Sequence, residues 1–179
     1  AIGDPARPES PYACSKLAFE GYLRMAQTAG RLATVVLRYA NVYGARQDPH
    51  GEAGVVAIFL QRLLAGEPIQ INARQAPGDP GCIRDYVAVD DVVRANRLAV
   101  SGAFDGETVH VCTGDGTSTR RLAEALLELT KSTSEVRDGD PRPGDVGRSV
   151  LSVDARLTPK VGLEEGLAEA LTWFRAKAG

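Results

Sequence analysis

Several things this chain has little of narrow what it does. It has three cysteines, Cys14, Cys82 and Cys112. They are odd in number, scattered and without metal-ligand spacing, so neither a disulfide framework nor a zinc site is expected, and a reduced, cytoplasmic setting is. There are two histidines. His50 has no ligand partner at useful spacing, and His110 sits in an apolar run, where it reads as a satisfied core residue, so no metal is expected. Positive charge is not in excess: 21 Lys and Arg face 23 Asp and Glu, for a net charge of -2. That leaves no footprint for nucleic acid, and any anionic ligand must be held by a few local arginines. No apolar run approaches membrane-spanning length and no signal-peptide pattern is visible, so no membrane partner is expected. Internal repeats and low-complexity stretches are absent. Gly114-x-Gly116 lacks the third glycine of a dinucleotide fingerprint.

What is present is ordinary globular material. The 179 residues are 44% hydrophobic and 25% charged, enough for one domain with a real core or for a small domain plus part of another. The chain starts at Ala1 and its only methionine is Met25, so the expectation is a piece of a longer translation product.

Proline and glycine punctuate the elements. Residues 1–9 are expected to be an extended loop around Pro5 and Pro8. Ser10 suits an N-cap and Pro11 a first helical position, which predicts a helix from Ser10 to about Ala29, stopped by Gly30. Leu17, Phe19, Tyr22, Leu23, Met25 and Ala26 give it more apolar surface than one sheet contact needs. Packing on another subunit or full burial in a core would each satisfy that surface. The run Ala33–Tyr39 reads as a strand of a parallel sheet covered on both faces, with Ala40–Gly44 just past its carboxyl end. A polar loop at 47–53, a helix Val55–Leu64, a strand Pro68–Asn72 and a loop Arg74–Gly81, mobile by composition, follow. Asp90 is the expected N-cap of a helix Asp91–Val100, and Arg84 the expected partner of Asp85 or of solvent. Thr108–Cys112 is a strand, Ser118 caps a helix Thr119–Thr130, and 138–149 is polar and rich in Pro, Gly and Arg. Leu163, Leu167, Leu171 and Phe174 mark a final helix over Leu163–Lys177.

Chemistry concentrates in Ser10-Pro11-Tyr12-Ala13-Cys14-Ser15-Lys16. Tyr12 and Lys16 are four apart, one helical turn, on one face. An ammonium so placed favours the phenolate, which suits a phenol to general-base work. Taken alone, the spacing fits an exposed Tyr and Lys on an ordinary helix better, since a two-residue match is a weak motif. Asn41, beyond a strand end, offers a donor and an acceptor where ligands bind in open α/β sheets. In 141–148, planar guanidinium groups suit phosphate oxygens and Asp145 suits sugar hydroxyls. A surface turn holding its own ion pair has the same composition.

Together, Pro11-Tyr12-x-x-Ser15-Lys16, Leu37-Arg38-Tyr39-x-Asn41-Val42-Tyr43-Gly44, Arg84-Asp85-Tyr86-Val87-x-Val89-Asp90-Asp91-Val92, Arg142-Pro143-Gly144-Asp145, Leu163-Glu164-Glu165-Gly166-Leu167 and Trp173-Phe174 resemble the extended short-chain dehydrogenase/reductases. The resemblance is to their NAD-dependent nucleotide-sugar epimerases and dehydratases, of the UDP-glucose 4-epimerase kind. It implies an α/β fold, a partial Rossmann-type parallel sheet plus a small α/β substrate-binding subdomain. Residues 1–45 would hold the catalytic helix and a sheet strand, and 46–83 the first part of the substrate subdomain. Residues 84–113 would return to the sheet, and 114–179 would complete the subdomain. The resemblance implies NAD as cofactor and a nucleotide-diphosphate sugar as substrate. Tyr12 would be the acid/base, Lys16 would hold the nicotinamide ribose, and Tyr39 would line the cofactor–substrate junction. Asn41, Val55, Gln70, Asn72, Arg84, Arg142 and Asp145 would contact substrate, the two arginines on the diphosphate and Asp145 on the nucleotide ribose. A homodimer through the first helix, or an N-terminal polypeptide, is the implied protein partner. A nucleotide-sugar dehydratase, decarboxylase or reductase shares every motif, and a non-catalytic assembly fragment is the rival of another class. Three departures stand out. No glycine-rich strand–turn–helix precedes Tyr12, nor does the usual substrate-orienting serine or threonine. Asn72 and Ala73 replace an aromatic residue and a glycine on the base-binding strand.

Overall fold

The computed structural model describes residues 2–50 and 54–178. Residues 51–53 of the expected polar loop lie outside the described residues. Helix α1 spans Pro11–Thr28, as the caps predict: Ser10 Oγ accepts from the Ala13 amide at 3.1 Å, Pro11 opens the first turn, and Gly30 leaves it at φ 67°. The strand after it, β1 (Val36–Tyr39), pairs in parallel with β6 (Thr108–Val111), Val36 opposite Thr108.

Asn41 was expected past the end of this strand. It instead opens a second strand, β2 (Asn41–Tyr43), parallel to β5 (Tyr86–Ala88). The reason is a change of partner. β6 ends at Val111, whose carbonyl takes the Ala40 amide at 2.9 Å, and the Asp85 carbonyl takes the Asn41 amide at 2.8 Å. Helix α2 (Val55–Leu64) and strand β3 (Ile69–Asn72) match their expected ranges closely. β3 pairs in parallel with β8 (Val136–Gly139), which the sequence did not announce. With one apolar residue in four, β8 has no pattern of its own and owes its shape to the edge it meets. Two-residue strands β4 (Ile83–Arg84), β7 (Thr117–Ser118) and β9 (Arg148–Ser149) form a small mixed sheet.

Helix α3 (Val89–Val100) corrects another expectation. Its N-cap is Ala88, without a side-chain cap bond, and Asp90 and Asp91 lie in the first turn, where carboxylates suit the helix dipole. Asp91 is buried. Burial alone would raise its pKa, but Arg94 at 2.8 Å and the amides of Val161 and Lys160 prevail and hold it below the usual range. Asp85, expected beside Arg84, is 1% exposed and turned away from it. It accepts from the Thr113 amide and hydroxyl and the Gly114 amide at 2.7–3.0 Å. The loop Arg74–Gly81 is an ordered turn: the Asp79 carboxylate collects the amides of Arg74, Gln75, Ala76 and Gly81, which keep it well below the ordinary carboxylate range. α4 (Thr119–Thr130) is capped by Ser118, and α5 spans Leu163–Ala178.

Two hydrophobic clusters share one strand. α2, β3, α4 and α5 enclose Leu60, Ile69, Leu122, Leu126 and Leu167. α3, β6 and a 3-10 turn at Ala155–Leu157 enclose Val92, Ala95, Phe104, Val109 and Leu157. Because successive strand side chains alternate, β5 sends Tyr86 and Ala88 into the first cluster and Val87 into the second. β5 and β2 thereby join the clusters at the point where Asn41 and Arg84 emerge.

Candidate functional site

Asn41, Val55, Gln70, Asn72, Arg84, Arg142 and Asp145 come from separate segments of the chain and line one cleft of about 370 Å3. That volume is within the range of small-ligand sites. One wall is the face of α2 that carries Val55, Ile58, Phe59 and Arg62 at positions i, i+3, i+4 and i+7. β3 supplies Gln70 and Asn72, which alternate with buried Ile69 and Ile71 and so point out of the core. Tyr86 and Thr119 close the floor. Burial pushes the Tyr86 phenol up to about 12, so it stays protonated at neutral pH.

The cations are tethered. Arg84 donates from Nη2 to Asp145 at 3.1 Å and from Nη1 to the carbonyls of Ile83 and Val146. Its ion pair therefore ties strand β4 to the 140–147 loop instead of sitting within one turn. Arg142 is exposed on the same rim. Arg62 was not anticipated, although its place seven residues after Val55 was a usable signal. Its Nη1 donates to the Pro68 carbonyl at 3.2 Å, which ties α2 to the start of β3.

Tyr12, Lys16 and Tyr39 are outside the cleft lining. Tyr12 is 66% exposed, and the Lys16 ammonium stands 5.2 Å from its ring centroid, so the pair shares a face as the spacing required. α1 is held to β1 by Arg38, which grips Glu20 through two nitrogens at 2.6 and 2.8 Å. Tyr39 lies toward α3, its hydroxyl bonded to Asn96. It borders a larger depression of about 620 Å3 beside β1 and α3 that is lined by no cation. Among the described residues no group of His, Cys, Asp and Glu is arranged to hold a metal. None of the described helices is long and apolar enough to cross a membrane.

A family model described as the NAD dependent epimerase/dehydratase family matches residues 2–112, more than half of the chain. The chain belongs to that family. A relative named UDP-glucose 4-epimerase from Mycolicibacterium smegmatis is 45% identical over 97% of this chain and 56% of its own length. The crystal structure of Thermus thermophilus UDP-glucose 4-epimerase with NAD superposes with a TM-score of 0.88 at 49% identity, covering 96% of this chain and 56% of that one. The Thermotoga maritima UDP-glucose 4-epimerase with UDP-glucose gives 0.88 at 47%, covering 97% and 56%. The chain thus spans about half the length of the relatives it matches. Its α/β architecture of parallel ladders is that of part of the Rossmann-type fold these family members share.

Proposed function

We propose that this chain is the catalytic-helix and substrate-binding part of a cytoplasmic, NAD-dependent nucleotide-sugar epimerase acting at C4 of a UDP-glucose/UDP-galactose type substrate. One observation carries the reading: seven residues far apart in sequence line a single cleft with the guanidinium groups of Arg84 and Arg142 on its rim. Arg84 and Arg142 take the diphosphate oxygens, and Asp145 takes the nucleotide ribose hydroxyls. Asn41 meets the nucleotide-sugar, and Val55, Gln70 and Asn72 complete the walls. The division at about residues 45, 83 and 113 follows the same reading. A sheet part and a substrate part alternate along the chain.

The Lys16 donor fits one end of a nicotinamide dinucleotide. Among the described residues Lys16 has no carboxylate partner, so its ammonium is available to ribose hydroxyls beside Tyr12. Tyr39 would border that junction. When bound, NAD supplies reversible hydride acceptance. The protein's share is positional. Tyr12 takes the C4 hydroxyl proton through its phenolic oxygen and later returns it, while the arginines keep the diphosphate anchored as the keto sugar turns over. The exposed apolar side of α1 is where we place a protein contact, with a second copy or with an N-terminal polypeptide.

Calorimetry with UDP tests the reading. Arg84→Ala and Arg142→Ala should each weaken binding by about 1.5–3 kcal/mol, the scale of a lost charge-assisted hydrogen bond. Unchanged affinity in both variants would make the rim a plain surface ion pair. Turnover of a panel of UDP- and dTDP-sugars by the full-length protein identifies the sugar.

A further inference from the structure

The two rim arginines are held by different chemistry. Arg84 is bonded to the carboxylate of Asp145, which offsets its charge. Among the described residues Arg142 has no ion pair. Its guanidinium instead faces the side-chain amide of Asn72. A guanidinium only donates, so the amide atom in front of it must be the oxygen. In that orientation Asn72 accepts from Arg142 Nε at 2.6 Å and from Nη2 at 3.0 Å. Its nitrogen then faces Gln70 Nε2, 2.8 Å away, a second donor, so Gln70 must turn its own amide to present an oxygen there. Gly139, opposite Asn72 on β8, leaves room for this pair, since a Cβ there would run into the Gln70 and Asn72 amide ends.

We infer that Asn72 is a positioning residue for the diphosphate: through a two-point, neutral acceptor it aims the Arg142 guanidinium into the cleft without cancelling its charge. The inference rests on the proposed reading of the cleft. A neutral amide orients the fork and leaves Nη1 free to donate, whereas a carboxylate at the same place would pair with it. The role follows from residue 72 being Asn: a phenylalanine side chain there would offer Arg142 no hydrogen-bond acceptor.

The test uses the full-length protein and two probes, UDP by calorimetry and uridine, which lacks the diphosphate, by competition. Asn72→Leu should weaken UDP about tenfold, one lost hydrogen-bonded anchor, with uridine changed less than about twofold. Asn72→Asp, equal in shape, should weaken UDP at least as much, because its carboxylate pairs with Arg142. Asn72→Leu combined with Arg142→Ala should bind UDP no worse than Arg142→Ala alone, since both changes remove one interaction. Equal losses for UDP and uridine, or additive losses in the double variant, overturn the inference. If Arg142→Ala weakens UDP and Asn72→Leu does not, the inference alone fails. If Arg142→Ala leaves UDP unchanged, the inference fails, and if Arg84→Ala does so too, the reading of the cleft falls with it.

Discussion

Helices α1 and α2 are both rich in apolar residues, and the chain treats them in opposite ways. α2 is 10 residues long and buries Val56, Ala57, Phe59, Leu60 and Leu63 against β3, α4 and α5. α1 is 18 residues long and buries none, with Phe19, Tyr22 and Met25 at 60%, 66% and 62% exposure. Its half-buried stripe, Ala13, Leu17, Glu20, Leu23, Ala26 and Gln27, meets the rest through Glu20–Arg38 and Gln27–Thr34. The contrast separates two jobs. α2 and its neighbours build both the core and the cleft wall, so the cleft and the stability of the fold share residues there. α1 carries the Tyr12–Lys16 pair while adding little to the core of this chain.

The sharpest way to test that separation is through the dinucleotide. The 179-residue chain alone should show no micromolar binding in an NAD titration, because a Rossmann site also needs a glycine-rich turn to hold the pyrophosphate. One-to-one micromolar binding without a second polypeptide would mean that α1 and its surroundings suffice. Next, in the full-length protein, Tyr12→Phe should lower turnover by about two to four orders of magnitude, the usual scale of acid–base catalysis, and leave the melting temperature unchanged. A shift in melting with intact turnover would reverse the roles assigned to the helices.

On the α2 side, Leu60→Ala should cost about 2–5 kcal/mol in denaturant unfolding, the range for a fully buried leucine. Met25→Ala in the same chain, diluted until it is monomeric, should cost about 0.5 kcal/mol or less, as at other exposed positions. Comparable costs at the two sites would show that something covers α1 in solution. The smallest effect concerns the tether of α1. The hydrogen bonds from Arg38 hold the Glu20 carboxyl below its usual value of 4.5. A depressed carboxylate stabilises the fold above its unfolded pKa, and that contribution fades as pH falls below about 4.5 through the lower folded value. It should amount to about 1 kcal/mol or less for a partly exposed pair. Hydrogen exchange should therefore show α1 amides losing protection on acidification before those of α2. Simultaneous loss would make the ion pair irrelevant to the attachment of α1.

The sequence was legible where local chemistry decides structure. Ser10 and Ser118 cap their helices because a hydroxyl meets a free amide three residues on. Gly30 and Gly66 end theirs because a positive φ suits glycine. The Leu163, Leu167, Leu171 and Phe174 face of α5 packs as its period required. β8 was not legible, since its strand conformation is a loan from the edge of β3. Asp90 looked like a cap, but the helix starts two residues earlier than expected, directly from β5, and leaves the cap to a backbone without a side-chain partner. The Asp79 turn was hidden because composition shows that a loop is polar, not that one carboxylate gathers its amides. Of the cleft residues, Arg62 was within reach of helical spacing. Tyr86 and Thr119 were not, because only the packing of β5 and α4 brings them to the floor.

By itself the sequence determined the helices, the main strands, the pairing of Tyr12 with Lys16 on one face and the short list of cationic and amide side chains available to a ligand. These depend on contacts between residues a few positions apart, which the order of the chain sets directly. Only the tertiary structure decided that Asn41 belongs to a second ladder, that Asp85 is a buried hub rather than the partner of Arg84, and that Arg142 rests on a neutral amide while Arg84 rests on a carboxylate. Each of those depends on which distant backbone or side chain offers the nearest unsatisfied donor or acceptor. That is settled when β5 is shared between two cores and the 140–147 loop meets Arg84.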